Sequence, residues 1–313
     1  MKRLRSGEHG CSFRTDTSSL IRFIADWTNY RGDEPTGELE RRIGRVLEST
    51  FPGRRRFSLE NQMRLPAISG IIDRRILANY RVDPACMSVA LPAPFRPQIV
   101  NGYAIGGICL IRLKRVRPKI FPFPWGISSE NAAHRIAVEW ESDGQTMQGV
   151  YIPRRDTDSM LNSLAGGRIF PGIHHHATFT VAEKDDHYSV TMASDDGVAN
   201  VHVAGSVAPA TSDSSIFDSV ESASNFFETG SLGYSNTNTA GKFDGLELQC
   251  ENWHVESLKI DAISSSYFED QSRFPRGSVK FDCALLMRNI VHEWHGRPDL
   301  CCSAKMEASP ESP

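Results

Sequence analysis

Three consecutive histidines, His174, His175 and His176, follow Pro171-Gly172-Ile173 and lead into Ala177-Thr178-Phe179-Thr180-Val181. Imidazole titrates near neutrality and ligates metals, so such a run has the chemistry for proton transfer or for a metal site. In an extended strand alternate residues share a face. Ile173, His175, Ala177, Phe179 and Val181 then form one apolar, inward face, and His174, His176, Thr178 and Thr180 the other. His175 is expected to point inward, either as a core histidine bonded to backbone or as a functional group in a lined cavity. His174 and His176 could instead join His292, Glu293 or His295 around a metal, but three distant segments would have to converge. His292-Glu293-Trp294-His295 also lacks the H-E-x-x-H spacing of zinc proteases, so neither metal nor cofactor is expected.

Two further groups could work beside an imidazole. Arg81 offers a planar fork for a carboxylate, or it pairs with nearby Asp83. Glu130 follows Gly126-Ile127-Ser128-Ser129; buried, it would titrate near neutrality and could share a proton with His175. On an ordinary surface it would simply be solvated. The cations Arg112, Lys114, Arg115 and Arg117, and the run Arg154-Arg155-Asp156, read as solvated strand ends.

The elements that must position these residues are mostly strands. Phe95 to Val100, then Asn101-Gly102, then Tyr103 to Arg117 predict a hairpin, because Asn-Gly supplies the positive φ angles of a type I′ turn. Further strands are predicted at His134–Trp140, Gly149–Ile152, Ile173–Glu183, Tyr188–Met192, Val201–Val207, Leu246–Trp253, Leu258–Ile263 and Val279–Leu286. Helices are predicted at Pro84–Leu91 and at Ser215–Glu228, where Ile216, Val220, Ala223 and Phe227 share a face and Gly230 lies just beyond the end. Many strands, few helices and no βαβ alternation point to a mostly β (α+β) domain, an antiparallel β barrel or sandwich with a few peripheral helices.

The chain has 313 residues, 40% apolar and 23% charged, with a net charge of -3. That balance is globular and gives no reason to expect nucleic acid. Residues 1–62 differ from the rest: they carry 12 Lys and Arg against 9 Asp and Glu, while the remainder carries 23 against 29. They hold one amphipathic helix, Thr36 to Thr50, with Leu39, Ile43, Val46 and Leu47 on a face, and read as an N-terminal extension. Met63 reads as an alternative start of translation. Residues 63–302 read as the domain and 303–313 as a disordered tail. Seven cysteines without metal or disulfide spacing fit reduced thiols. The N-terminal apolar patch is broken by Arg22 and Asp26, and no stretch reaches about 18 apolar residues, so no membrane partner and a cytoplasmic location are expected. The sequence is silent on oligomeric state and leaves room for a homo-oligomer.

Three segments together resemble acetoacetate decarboxylase and its uncharacterised bacterial relatives. They are Tyr80-Arg81-Val82-Asp83-Pro84 with Leu91-Pro92-Ala93-Pro94-Phe95; Ser128-Ser129-Glu130-Asn131, similar to the loop of that enzyme's active-site glutamate; and Ala165-Gly166-Gly167-Arg168 leading to Pro171-Gly172-Ile173-His174-His175-His176. The resemblance covers roughly Leu65 to Cys302. It implies a barrel of that family's type around a pocket for a small carboxylate or oxo acid. It also implies that His175 and Glu130 sit in the catalytic positions, with Arg81, His176 and Arg168 toward the substrate. His175 stands where the family keeps its imine-forming lysine and His176 where it keeps a second lysine. An imidazole cannot form that imine, so a Schiff-base decarboxylase is not expected. The resemblance leaves an acid/base lyase-type enzyme, a non-catalytic binding or sensing module, or a histidine metal site.

Overall fold

A computed structural model describes residues 67–119, 126–159, 172–209 and 215–301. The extension 1–62, the tail 303–313 and Arg168 lie outside the described residues. Within them the chain is mostly β. The long strand β1 (Ile68–Val82) lies between β4 (Tyr103–Pro118) and β13 (Val279–Cys301), antiparallel to both. From β4 the sheet continues antiparallel through β5 (Ile127–Ser142) to β6 (Gln145–Thr157). Short β2 (Arg96–Pro97) and β3 (Ile99–Val100) pair with β5 and β4.

The expected purely antiparallel sheet is corrected at β6. This strand runs parallel to β7 (His174–Lys184), with Arg155 opposite His174, and parallel to β10 (Leu232–Asn236). A parallel neighbour needs a crossover of a dozen or more residues, which the connection 158–173 is long enough to supply. From β7 the path is antiparallel through β8 (His187–Ser194), β9 (Asn200–Ala208) and β12 (Glu256–Ser265) to β13. On the other side β10 pairs with β11 (Lys242–Cys250), which also pairs with β13. The hydrogen-bonded path therefore returns to β13 from both sides of β6.

Both faces of this sheet are apolar. Ile76, Ala78, Leu110, Trp140, Phe268 and Leu286 belong to one buried cluster. Leu77, Cys109, Ile111, Phe227, Leu285 and Met287 belong to a second. The neighbours Ile76 and Leu77, like Leu285 and Leu286, go to opposite clusters, as period-two alternation requires. Each of these four is wholly buried, a contribution of roughly 1.5–3 kcal/mol apiece.

The local signals act as chemistry dictates. Asn101 and Gly102 take φ values of 48° and 84° in the β3–β4 turn. Asp83 caps the short helix α1 (Pro84–Ala90), its carboxylate accepting from the amides of Ala85 and Cys86 at 2.8 and 3.3 Å. The second helix, α2 (Val220–Thr229), starts later than Ser215. Buried Asp282 accepts from the Ser215 hydroxyl and the Ile216 amide and so holds that stretch out of the helix. Ser219 then supplies the cap, accepting from the Ser222 amide at 3.0 Å, while Ala223 and Phe227 turn inward. No helix among the described residues is long and apolar enough to cross a membrane.

The parallel β6–β10 contact depends on Gly149, where an added Cβ would sit 2.4 Å from the Leu232 carbonyl oxygen. Gly149→Ala is expected to push β10 away at an overpacking cost of about 1–3 kcal/mol. Hydrogen exchange would show faster opening of the Gly233–Ser235 amides, together with a lower Tm; unchanged protection there would refute this account.

Candidate functional site

On the second apolar face, beside the C-terminal end of α2, lies a cavity of about 120 Å³. Its walls draw on β1, β4, β5, β6 and β7, on the chain following α2, and on Trp253 and Trp294. Most of the surface is apolar, including Ile111, Leu113, Val150 and Phe227, yet three arginines line it: Arg75 from β1, Arg135 from β5 and Arg155 from β6.

These guanidinium groups are held by neutral partners. Arg75 donates from Nε to the Cys109 Sγ at 3.3 Å and from Nη1 to the Met287 Sδ at 3.7 Å, and lies 5.7 Å from the Trp253 ring. Buried Arg135 donates to the Asn79 side-chain oxygen and stacks 4.5 Å over Phe227, while its Nε has no partner. Arg155 donates from Nε to the Ser235 hydroxyl at 2.9 Å. None of the three makes an ion pair with a carboxylate among the described residues. Burial pulls Arg135 and Arg155 down to about 10, and Arg75 adds repulsion at Arg135. At neutral pH both remain cations. Asp156 also lines the cavity, but Arg154 binds its carboxylate at 2.7–3.1 Å.

His174 completes the polar lining. Its Nδ1 is 3.3 Å from the Gly172 carbonyl oxygen, which can only accept, so this bond needs a proton on Nδ1. Burial, then the nearby Arg155 cation, push its pKa down to about 3.

The residues singled out in the sequence lie elsewhere. The His175 side chain is 39% exposed and its Nδ1 is 3.2 Å from Asp196, so the expected inward histidine is not in the cavity. The alternation itself holds, since Ala177 is buried and Phe179 and Val181 pack on the first cluster. Because the sheet buries both faces, however, the lined cavity is on the His174 side. His176 pairs with Asp195 at 2.6 Å. Arg81 reaches Asp282 at 3.3 Å, and Asp83 caps α1. Glu130 lies between Arg74 and Arg112, 2.5 Å from each, with Glu183 also on both arginines. Thus Arg112, read as a solvated cation, belongs to an ionic network. None of Arg81, Glu130, His175 and His176 lines the cavity. Among the described residues no three His, Cys, Asp or Glu side chains group as a metal site.

Arg75 and Arg135 escaped the sequence reading, and Arg155 was taken for a solvated end. A signal was present, because Arg135 stands inside Ala132–Val138, a stretch otherwise apolar apart from His134.

Residues 72–279 match the sequence profile of DUF2071, described as an uncharacterized conserved protein. The chain belongs to the DUF2071 family. No curated protein matches it. Among solved structures this DUF2071 chain is similar to acetoacetate decarboxylase from Legionella pneumophila subsp. pneumophila str. Philadelphia 1. The identity is 11%, over 82% of this chain and 94% of that one, with a TM-score of 0.52. It is similar also to an acetoacetate decarboxylase-like enzyme from Sphingomonas wittichii RW1, at 13% identity over 76% and 93% with a TM-score of 0.47. A further match is the enduracididine biosynthesis enzyme MppR complexed with pyruvate, at 13% over 78% and 97% with a TM-score of 0.46. The first likeness shows that this DUF2071 chain has an acetoacetate decarboxylase-like fold.

Buried histidines give the domain a pH signature. Burial, then neighbouring cations, hold His134 and His174 down at about 3 and His292 at about 4. The unfolded chain titrates them near 6.5. Between about pH 6.5 and 4 it therefore binds more protons than the folded one, and stability falls as pH falls, by up to about 1.4 kcal/mol per unit per histidine. The urea midpoint is expected to be level above pH 7 and to decline from about 6.5 down to 4. His174→Asn should make that decline shallower; a midpoint level down to pH 5 would contradict the assignment.

Proposed function

We propose that the arginine-lined cavity is a binding site for a small carboxylate or oxo acid. The observation that carries this reading is three cations, from three strands, converging on one cavity with no carboxylate among the described residues bonded to any of them. Burying an unpaired charge is costly unless something else neutralises it. Elsewhere this protein follows that rule: Arg74, 1% exposed, is bonded by both Glu130 and Glu183. A guanidinium fork matches a carboxylate in shape as well as charge. The fold likeness to acetoacetate decarboxylase, a protein named for an oxo acid, agrees with this reading.

If the site turns its ligand over, the chemistry falls to His174, the imidazole in its lining. No lysine is among the described residues that line the cavity, so the reading keeps an acid/base, lyase-type reaction without an imine. Glu130 carries two arginines at 2.5 Å, which suits the support of β1 and β4 better than proton transfer. One observation favours binding without turnover: a histidine held at about 3 is a weak base. An anion beside it would raise that value.

The test is a thermal-shift screen of small carboxylates and oxo acids against the full chain and Arg75→Met. Among the described residues Arg75 bonds two sulfurs and lies over a ring, so methionine strands none of their carboxylates. Without ligand the variant should be more stable by about 0.5–2 kcal/mol, because like charges no longer face each other. With ligand it should lose most of the shift. At about 100 times the dissociation constant the wild type should gain about 2.7 kcal/mol, or several °C. Should no carboxylate stabilise the wild type, and Arg75→Met be the less stable protein, the reading is wrong. His174→Gln then separates an enzyme from a binder: in an enzyme it abolishes consumption of the bound oxo acid while binding persists.

A further inference from the structure

The charge balance of the cavity says more about its occupant than that it is an anion. Arg75, Arg135 and Arg155 bring three positive charges to the lining. Neutral His174 brings none, and the Asp156 carboxylate is taken by Arg154, which Asp196 also holds at 2.9 Å. Among the described residues a further acid close by is Asp244, cross-strand from Ser235, the residue that Arg155 bonds. It accepts from the Gly172 amide at 3.1 Å. Asp244 offsets up to one of the three charges, and Asp156, which shares Arg154 with Asp196, part of another, so a positive excess spread over separate guanidinium groups is left for the ligand.

We infer that the natural occupant is a dianion, a short dicarboxylate such as a 2-oxo dicarboxylic acid, and not a monocarboxylate. This rests on the carboxylate reading above and narrows it. The cations stand on β1, β5 and β6, on different parts of the wall, so two carboxylates at the ends of one molecule meet separate guanidinium groups. Buried Arg135 keeps an Nε without any partner, a donor that a second carboxylate would satisfy. Between the cations the wall is carbon and sulfur: Cys109, Ile111, Val150 and Ile152. A short carbon chain fits that surface, whereas inorganic phosphate or sulfate would leave it uncovered.

Calorimetric titration of the full-length protein with matched pairs tests this: acetate against malonate, butyrate against succinate, acetoacetate against oxaloacetate, with inorganic phosphate and sulfate alongside. The dicarboxylate of each pair is expected to bind at least ten-fold more tightly than its partner. Arg75→Met removes one cation, so the margin should collapse and the monocarboxylate draw level; Arg155→Met should do the same by an independent route. Equal or tighter binding of monocarboxylates by the wild type would overturn the dianion and leave the carboxylate pocket standing. Tightest binding of phosphate or sulfate would overturn the carbon-chain assignment. Binding of none of the probes would remove both this inference and the reading it rests on.

Discussion

Repulsion between Arg75 and Arg135, with Arg155 on the same cavity wall, is the constraint around which this side of the protein is organised. Two unit charges 4 Å apart at an effective dielectric of about 20 interact by about 4 kcal/mol, and less in proportion at longer range. Net stabilities of domains are only about 5–15 kcal/mol. Three like charges can therefore persist in a partly buried wall only if the backbone that carries them has no easy way to relax. That backbone is the best-paired part of the sheet: β1 is bonded along its length by β4 and β13, and β5 by β4 and β6. The guanidinium groups are also pinned by soft, neutral partners, the sulfurs of Cys109 and Met287 and the rings of Trp253 and Phe227. Such contacts hold a cation in place without neutralising it.

The contrast with the other face sharpens the point. Successive residues of β1, Arg74 and Arg75, point to opposite faces and meet opposite treatments. Arg74 is matched by Glu130 and Glu183, and Arg112 by Glu130, Glu183 and Asp73. Arg75 meets sulfur and indole. Both types of environment are built from the same strands, so the difference is in which side chains the neighbouring strands present. A network in which every charge is met stiffens the frame. Around Arg75 and Arg135 the described partners are neutral.

Much of the architecture was legible because its signals are local. The Asn101-Gly102 turn, the Asp83-Pro84 helix start and the Gly230 stop each rest on one backbone requirement. Strand β1 escaped because Asp73-Arg74-Arg75 interrupts its apolar residues, and the charges of Asp73 and Arg74 are met by side chains on distant strands. The long second half of β13 escaped because His292-Glu293-Trp294-His295 reads as polar, while its pairing partner β11 lies far away in sequence. The site was harder still. Alternation put His174 and His175 correctly on opposite faces, but choosing the functional face assumes that one face is buried and the other wet. Here both bury apolar clusters, and parity alone cannot say which holds a cavity. The three arginines are spread over 80 residues of sequence, and their convergence is a property of the sheet.

A cavity lined by arginines and a histidine differs in its electrostatics from one built around a reactive lysine. A reactive lysine must be neutral, and nearby cations or desolvation make it so by lowering its pKa. Positive charge in a lysine pocket thus serves the nucleophile. Around His174 burial, then the Arg155 cation, depress the imidazole to about 3, and no lysine is among the described residues of the lining. Arginines shifted only to about 10 keep their charge at neutral pH, and their donors are oriented before anything binds, the condition under which charge in a low-dielectric site acts most strongly. The fold is thus like that of acetoacetate decarboxylase, while the polar groups lining this cavity include three arginines and a histidine. That division is what fold without site predicts: the two apolar faces keep the sheet, and a handful of positions along it decide what the sheet can hold.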